Sequence, residues 1–113
     1  MKTPAPIYLP KWAWHHRTLT RLHAGLLAAR GDRVLLLDRQ PPPDAVRQFA
    51  RTADVECVSA DVTDYAALDT LCATRGITQV VHTAALLSTS IRANPLAGTH
   101  VNVMGTANLL EIA

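Results

Sequence analysis

The sequence predicts an α/β fold, a parallel sheet flanked by helices, on three observations. Short apolar runs that stop at a polar residue recur at 33–38, 55–61 and 77–82; stretches with helical apolar spacing lie between them; and glycines or prolines mark the junctions. Strands and helices alternating in this way form βαβ units, which require parallel strands and right-handed crossovers. The composition agrees, because 113 residues that are 49% apolar and 18% charged make one small globular domain rather than a disordered tail. Five glycines and two cysteines exclude a collagenous chain and a disulfide scaffold.

Each element follows from local chemistry. Leu22, Leu26, Leu27 and Ala29 fall near helical spacing, and Gly31 stands where a glycine follows a helix C-terminus. Arg33 to Asp38 reads R-V-L-L-L-D, a continuous apolar run stopping at an acid, the pattern of a strand buried on both faces. Pro41, Pro42 and Pro43 break the chain before a short helix started by Asp44, with Ala45, Val46 and Phe49 on one face. Val55 to Asp61 supplies a second strand. Thr63 is placed to cap a helix whose apolar face is Tyr65, Leu68, Leu71 and Cys72, and Gly76 closes it. Ile77 to His82 gives a third strand, and Pro95 to Ala113 a last helical stretch carrying Val101, Met104, Leu109 and Leu110.

The charge is uneven. The net charge is only +2, yet residues 1 to 30 carry Lys2, Lys11, Arg17, Arg21 and Arg30 and none of the nine acids, together with both tryptophans, Trp12 and Trp14. A basic arm for nucleic acid and an organelle leader are the alternatives such a segment raises. Pro4, Pro6 and Pro10 and the lack of serine argue against a leader. The apolar run Ala24 to Ala29 is far below the ~20 residues that span a bilayer, so no membrane role is expected. Cys57 and Cys72 have neither C-x-x-C spacing nor a nearby histidine, which argues against zinc and for a reducing, cytoplasmic setting.

Ligands of parallel sheets bind at the carboxyl ends of the strands. Asp38 ends its strand where a carboxylate accepts hydrogen bonds from ribose hydroxyls and repels a 2′-phosphate; a solvated strand-end acid reads the same way. Asp61 ends the next strand and can meet an adenine amino group while Val62 packs on the ring, or can cap the following helix. Thr83, Ala84 and Ala85 are small enough to let a cofactor approach the backbone, and tight strand-to-helix packing needs small residues too. His82 in an apolar strand reads as a core or rim histidine before a catalytic base. Asn102 inside an apolar helix needs a partner for its amide. Ser88, Thr89 and Ser90 stand where a substrate is met, or form a plain polar loop.

The motifs V-L-L-L-D-R, A-D-V-T-D-Y-A-A-L, V-V-H-T-A-A-L-L-S and A-N-P-L-A-G-T-H-V-N-V-M-G-T-A-N-L-L-E-I-A, in that order from about Gly25 to Ala113, resemble the NAD-dependent epimerase/dehydratase family, the extended short-chain dehydrogenases. The resemblance implies a Rossmann-like sheet in the order 3-2-1-4-5-6 with NAD, rather than NADP, as cofactor and a small-molecule substrate in a longer parent. It implies that Asp38, with Arg39 beside it, binds the adenosine ribose, Asp61 and Val62 the adenine, and Thr83, Ala84 and Ala85 the cofactor's central portion. Asn102 matches a helix asparagine that supports the active-site network, and Ser88 falls on the substrate side. The A-L-L-S and A-N-P stretches are also similar to the threonine dehydrogenase branch.

Two family elements are missing. No glycine occurs in residues 1 to 24, so the turn T-G-x-x-G-x-x-G that holds a pyrophosphate is degenerate, and Tyr-x-x-x-Lys is absent because the only lysines are Lys2 and Lys11. The sheet is therefore expected to be incomplete, with Ile7, Tyr8 and Leu9 at most a short substitute for its first strand. The parent would act by hydride transfer; the chain alone is expected to be inactive, a dinucleotide-binding module or an unstable fragment. Residues 1 to 24 fit an out-of-frame translation. Read one base later, the tryptophan codon always gives glycine, so Trp12 and Trp14 become glycines, and a CGG codon at Arg17 adds a third to complete Gly-x-Gly-x-x-Gly. Sequencing the DNA is expected to show a codon at Arg17, such as CGG, that gives glycine in the shifted frame, and a codon that gives none overturns the frameshift.

Overall fold

The computed structural model describes residues 6–9, 14–41, 43–49 and 54–113. Its elements are β1 (Pro6–Leu9), α1 (Trp14–Ala29), β2 (Val34–Asp38), α2 (Pro43–Phe49), β3 (Val55–Ser59), α3 (Tyr65–Arg75), β4 (Gln79–His82), α4 (Ser88–Ala93), α5 (Pro95–Thr99) and α6 (Gly105–Ile112), with a π-helical turn at His100–Met104 joining the last two. Lys2, Lys11, Trp12 and Pro42 lie outside the described residues.

Every strand pair is parallel, and the sheet order is β3-β2-β1-β4. The slot of the first strand is filled by the short substitute around Ile7, Tyr8 and Leu9: Ile7 and Tyr8 align with Leu35 and Leu36, while Pro6 to Leu9 align with Gln79 to His82. The physical reason is the cost of leaving the facing backbone groups of β2 and β4 unpaired in the middle of the sheet. Pro6 is compatible with this role because it is the first residue of the strand.

Helices cover both faces. Along β2, whose five residues are all buried, Val34 and Leu36 join Ala24, Phe49 and Val55 on one face, and Leu35 and Leu37 join Val62, Leu68, Cys72 and Leu109 on the other. The alternation of a strand thus builds two core layers from one continuous apolar run. The two free cysteines, Cys57 and Cys72, fall in different layers.

Both expected helix-closing glycines have positive φ, +95° at Gly31 and +61° at Gly76. After each, a backbone bond reaches back five residues, from Asp32 N to Leu27 O and from Ile77 N to Cys72 O, which closes the helix and turns the chain into the next strand. Other expectations are corrected. The buried face of α1 is Thr20, Ala24, Leu27 and Ala28, whereas Leu22 and Leu26 are exposed, because α1 lies on β2 through its small residues. Val46, Tyr65, Met104 and Leu110 are likewise exposed, with Phe49, Leu68 and Leu109 carrying the contacts. The cap of α3 is Asp64, not Thr63: its carboxylate accepts the Ala67 N–H at 3.0 Å. Ser88 to Ser90 begin a helix rather than a loop, held because Ile91 packs where a Cβ on buried Gly98 would stand.

The two classes of leucine separate energetically. Leu37→Ala is expected to destabilise by about 2–5 kcal/mol, whereas Leu26→Ala should stay within about 0.5 kcal/mol, as read from denaturant unfolding midpoints.

Candidate functional site

Parallel strands bring their carboxyl ends to one rim, where Asp38 is level with Ser59 and Leu9 with His82. On the β2–β3 side the strand ends are tied together. The Ala60 N–H donates to the Asp38 carbonyl at 3.0 Å, and the Ser59 hydroxyl to the Arg39 carbonyl at 2.9 Å. Asp38 is 7% exposed, and its Oδ1 accepts the Gln40 N–H at 2.9 Å, so the carboxylate shapes its own turn. Arg39 is exposed.

Asp61 is held in the same manner. Its Oδ1 accepts the Thr63 N–H at 2.9 Å and the Thr63 hydroxyl at 2.8 Å, a local turn and not the cap of α3. The Val62 side chain is buried in the core, where a Cβ on Gly105 would come within 2.7 Å of its Cγ1. Only glycine lets α6 approach that closely. The Val62 carbonyl accepts from Asn108 Nδ2 at 3.0 Å, which fixes the loop to α6.

Arg39, Asp61 and Thr63 form one wall of an open pocket of about 390 Å³; Leu96, His100 and Val101 lie on the other. The second wall was not among the residues the sequence singles out. Its signal was Leu96, an apolar side chain directly after Asn94-Pro95, which the fold leaves 77% exposed.

At the end of β4 the small residues of the turn adopt distinct roles. The Thr83 hydroxyl lies 3.4 Å from that of Thr20, a buried residue of α1. Ala84 packs on the core, and Ala85 is exposed. Asn102, in the π-helical turn, finds the partner its amide requires: Oδ1 accepts the Leu86 N–H at 2.6 Å and Nδ2 donates to the Leu86 carbonyl at 3.0 Å. Such π turns concentrate at functional sites. Ser88 is exposed at the start of α4.

The rim therefore carries two groups, Asp38, Arg39 and Asp61 at the ends of β2 and β3, and Thr83, Ala84 and Asn102 beyond β4, with the end of β1 between them. Residues 10–13, which join β1 to α1, lie outside the described residues. Among the described residues no group of three or more His, Cys, Asp or Glu could hold a metal, and no helix is long and apolar enough to cross a membrane.

His82 contacts the Thr106 hydroxyl through Nε2 at 2.9 Å, and burial lowers its pKa from the ordinary histidine value. The folded chain therefore holds it neutral, while the unfolded chain takes up a proton near the ordinary value of about 6.5. Its contribution to stability is complete above that pH and is lost as pH falls toward the folded pKa. Unfolding midpoints between about pH 7 and pH 5 are expected to fall more steeply for the natural chain than for His82→Asn, and parallel curves would refute this.

A family model described as the NAD dependent epimerase/dehydratase family matches residues 21–113. No curated protein gives a significant match. Among solved structures, a GalE-like L-threonine dehydrogenase from Cupriavidus necator is 26% identical with a TM-score of 0.76, covering 97% of this chain and 33% of that one. UDP-glucose 4-epimerase from Bifidobacterium longum, in complex with NAD+ and UDP, is 22% identical with a TM-score of 0.77, covering 97% and 33%. L-threonine dehydrogenase from Clostridium difficile is 20% identical with a TM-score of 0.75, covering 96% and 33%. The chain thus spans about a third of the length of the solved proteins it matches. With 21–113 matched by the family model and the parallel sheet flanked by helices in place, the chain belongs to the NAD-dependent epimerase/dehydratase family.

Proposed function

We propose that this chain is the dinucleotide-binding part of an NAD-dependent epimerase, dehydratase or dehydrogenase that acts on a sugar nucleotide or related hydroxyl compound. The observation that carries the reading is the placement of two carboxylates on one rim: Asp38 closes β2, and Asp61, two residues past the end of β3, lines an open pocket with Arg39. The donor set fits the adenosine half of such a cofactor. Asp61 offers an acceptor for an exocyclic amino group, and Leu96 and Val101 an apolar wall for the ring; Asp38, at the end of β2 outside the pocket lining, is the proposed acceptor for ribose hydroxyls. Small residues at Thr83, Ala84 and Ala85 leave the backbone approachable where the centre of the cofactor would pass. A nicotinamide dinucleotide, when bound, supplies a hydride acceptor, and the chain's own residues bind and orient it. The NAD+ and UDP bound by the Bifidobacterium longum epimerase support the cofactor and substrate classes.

Asp38 favours NAD over NADP, because its carboxylate repels a 2′-phosphate. Tyr-x-x-x-Lys does not occur within these 113 residues, whose two lysines are Lys2 and Lys11, so a proton acceptor of that kind would be supplied by the longer parent. The glycine-free, basic residues before 25 fit a frame-shifted remnant of the phosphate-binding turn, with residues 25–113 forming the dinucleotide-binding part.

Calorimetric titration is expected to give a dissociation constant for NAD in the micromolar range, about −8 kcal/mol at 1 μM, with NADP weaker. Asp38→Asn keeps the size and the bond to Gln40 while removing the charge, and should reduce the NAD preference by about tenfold or more. No heat with either dinucleotide overturns the reading.

A further inference from the structure

The turn Thr83-Ala84-Ala85 is flanked by His82 and Leu86, and both flanks are gripped by one stretch of helix. Asn102 holds Leu86 through two hydrogen bonds, and Thr106, one helical turn further along, touches His82. Thr106 also joins the two grips, because its hydroxyl lies 2.7 Å from the Asn102 backbone carbonyl as well as 2.9 Å from His82 Nε2.

Counting protons fixes the direction of these bonds. A carbonyl only accepts, so the single hydroxyl hydrogen of Thr106 is committed to Asn102. The contact with His82 then requires the hydrogen to sit on Nε2, which leaves Nδ1 as a lone pair. A second observation points the same way: Nδ1 is buried, with no hydrogen-bond partner among the described residues. A buried acceptor without a donor is tolerated better than a buried N–H without an acceptor.

We propose that Thr106 is the positioning residue of the 83–85 turn, fixing His82 as its Nε2–H tautomer and, with Asn102, holding both ends of the turn against which the dinucleotide lies. The contact with the dinucleotide rests on the functional reading above; the tautomer and the grip on Leu86 do not. Thr106→Val keeps the shape and removes the donor and acceptor, whereas Thr106→Ser restores both.

Nitrogen NMR of the natural chain at neutral pH should show the His82 hydrogen on Nε2, and finding it on Nδ1 overturns the proposal without any variant. Hydrogen exchange at the Leu86 amide is expected to quicken about tenfold in Thr106→Val and to return in Thr106→Ser. Equal rates in the natural chain and Thr106→Val overturn the grip. If the natural chain binds NAD, Thr106→Val should weaken binding several-fold with rescue by Thr106→Ser, and unchanged affinity overturns the link to the cofactor. If the natural chain binds no NAD, the functional reading alone fails, and the tautomer and exchange rates decide the role of Thr106.

Discussion

The architecture depends on four residues of backbone. Between β2 and β4 lie two rows of inward-facing amides and carbonyls, and Pro6 to Leu9 are what pair with them. Removing that pairing would leave each row without partners at the centre of a sheet covered on both faces, where an unmet backbone group costs as much as a lost hydrogen bond. Through the same pairing the ends of β2 and β4 reach one rim. Everything proposed for the rim presupposes β1.

The helical stretch from Pro95 to Ile112 is the second organiser. It meets the β3 loop at Val62 through Gly105, takes the Val62 carbonyl with Asn108, and grips the β4 turn with Asn102. Its π turn itself reaches both surfaces, with His100 and Val101 on the pocket and Val101 also against the core. Asn102, Thr106 and Asn108, which a helix-propensity scale disfavours, each have a fixed partner across the fold.

Much of this was legible in the sequence, and the failures have physical causes. Val34 to Asp38 could be read as a buried strand because all five positions lie inside two core layers, and Gly31 and Gly76 could be read as helix ends because both need positive φ. Periodicity misassigned Leu22, Leu26 and Tyr65, since it ranks side chains by hydrophobicity and cannot see that α1 meets the sheet through Thr20, Ala24 and Ala28. β1 was hard to see because Ile7, Tyr8 and Leu9 are too few to form a pattern; only the needs of their neighbours make them a strand. Asn102 announced that it needed a partner but not which one, because Leu86 lies sixteen residues earlier. The far pocket wall had a local signal in Leu96, but that it faces Asp61 depends on a crossover, which local sequence does not encode.

The shortness of β1 has a thermodynamic consequence. β2 and β3 with α1 to α3 lie on one side of β1 and β4 with the residues after it on the other, and the seam between the two parts is made by β1, by the contacts of α6 on α3 and Val62, by Leu109 in the core with Leu35 and Leu37, and by the Thr20–Thr83 contact. A molecule lying along the rim touches both parts and is lost when they separate. Its binding energy therefore adds to the cohesion of the seam by RT ln(1 + [L]/Kd), about 2.7 kcal/mol at a hundredfold excess over Kd. A ligand held along the rim would thus make occupancy of the site and integrity of the sheet linked quantities.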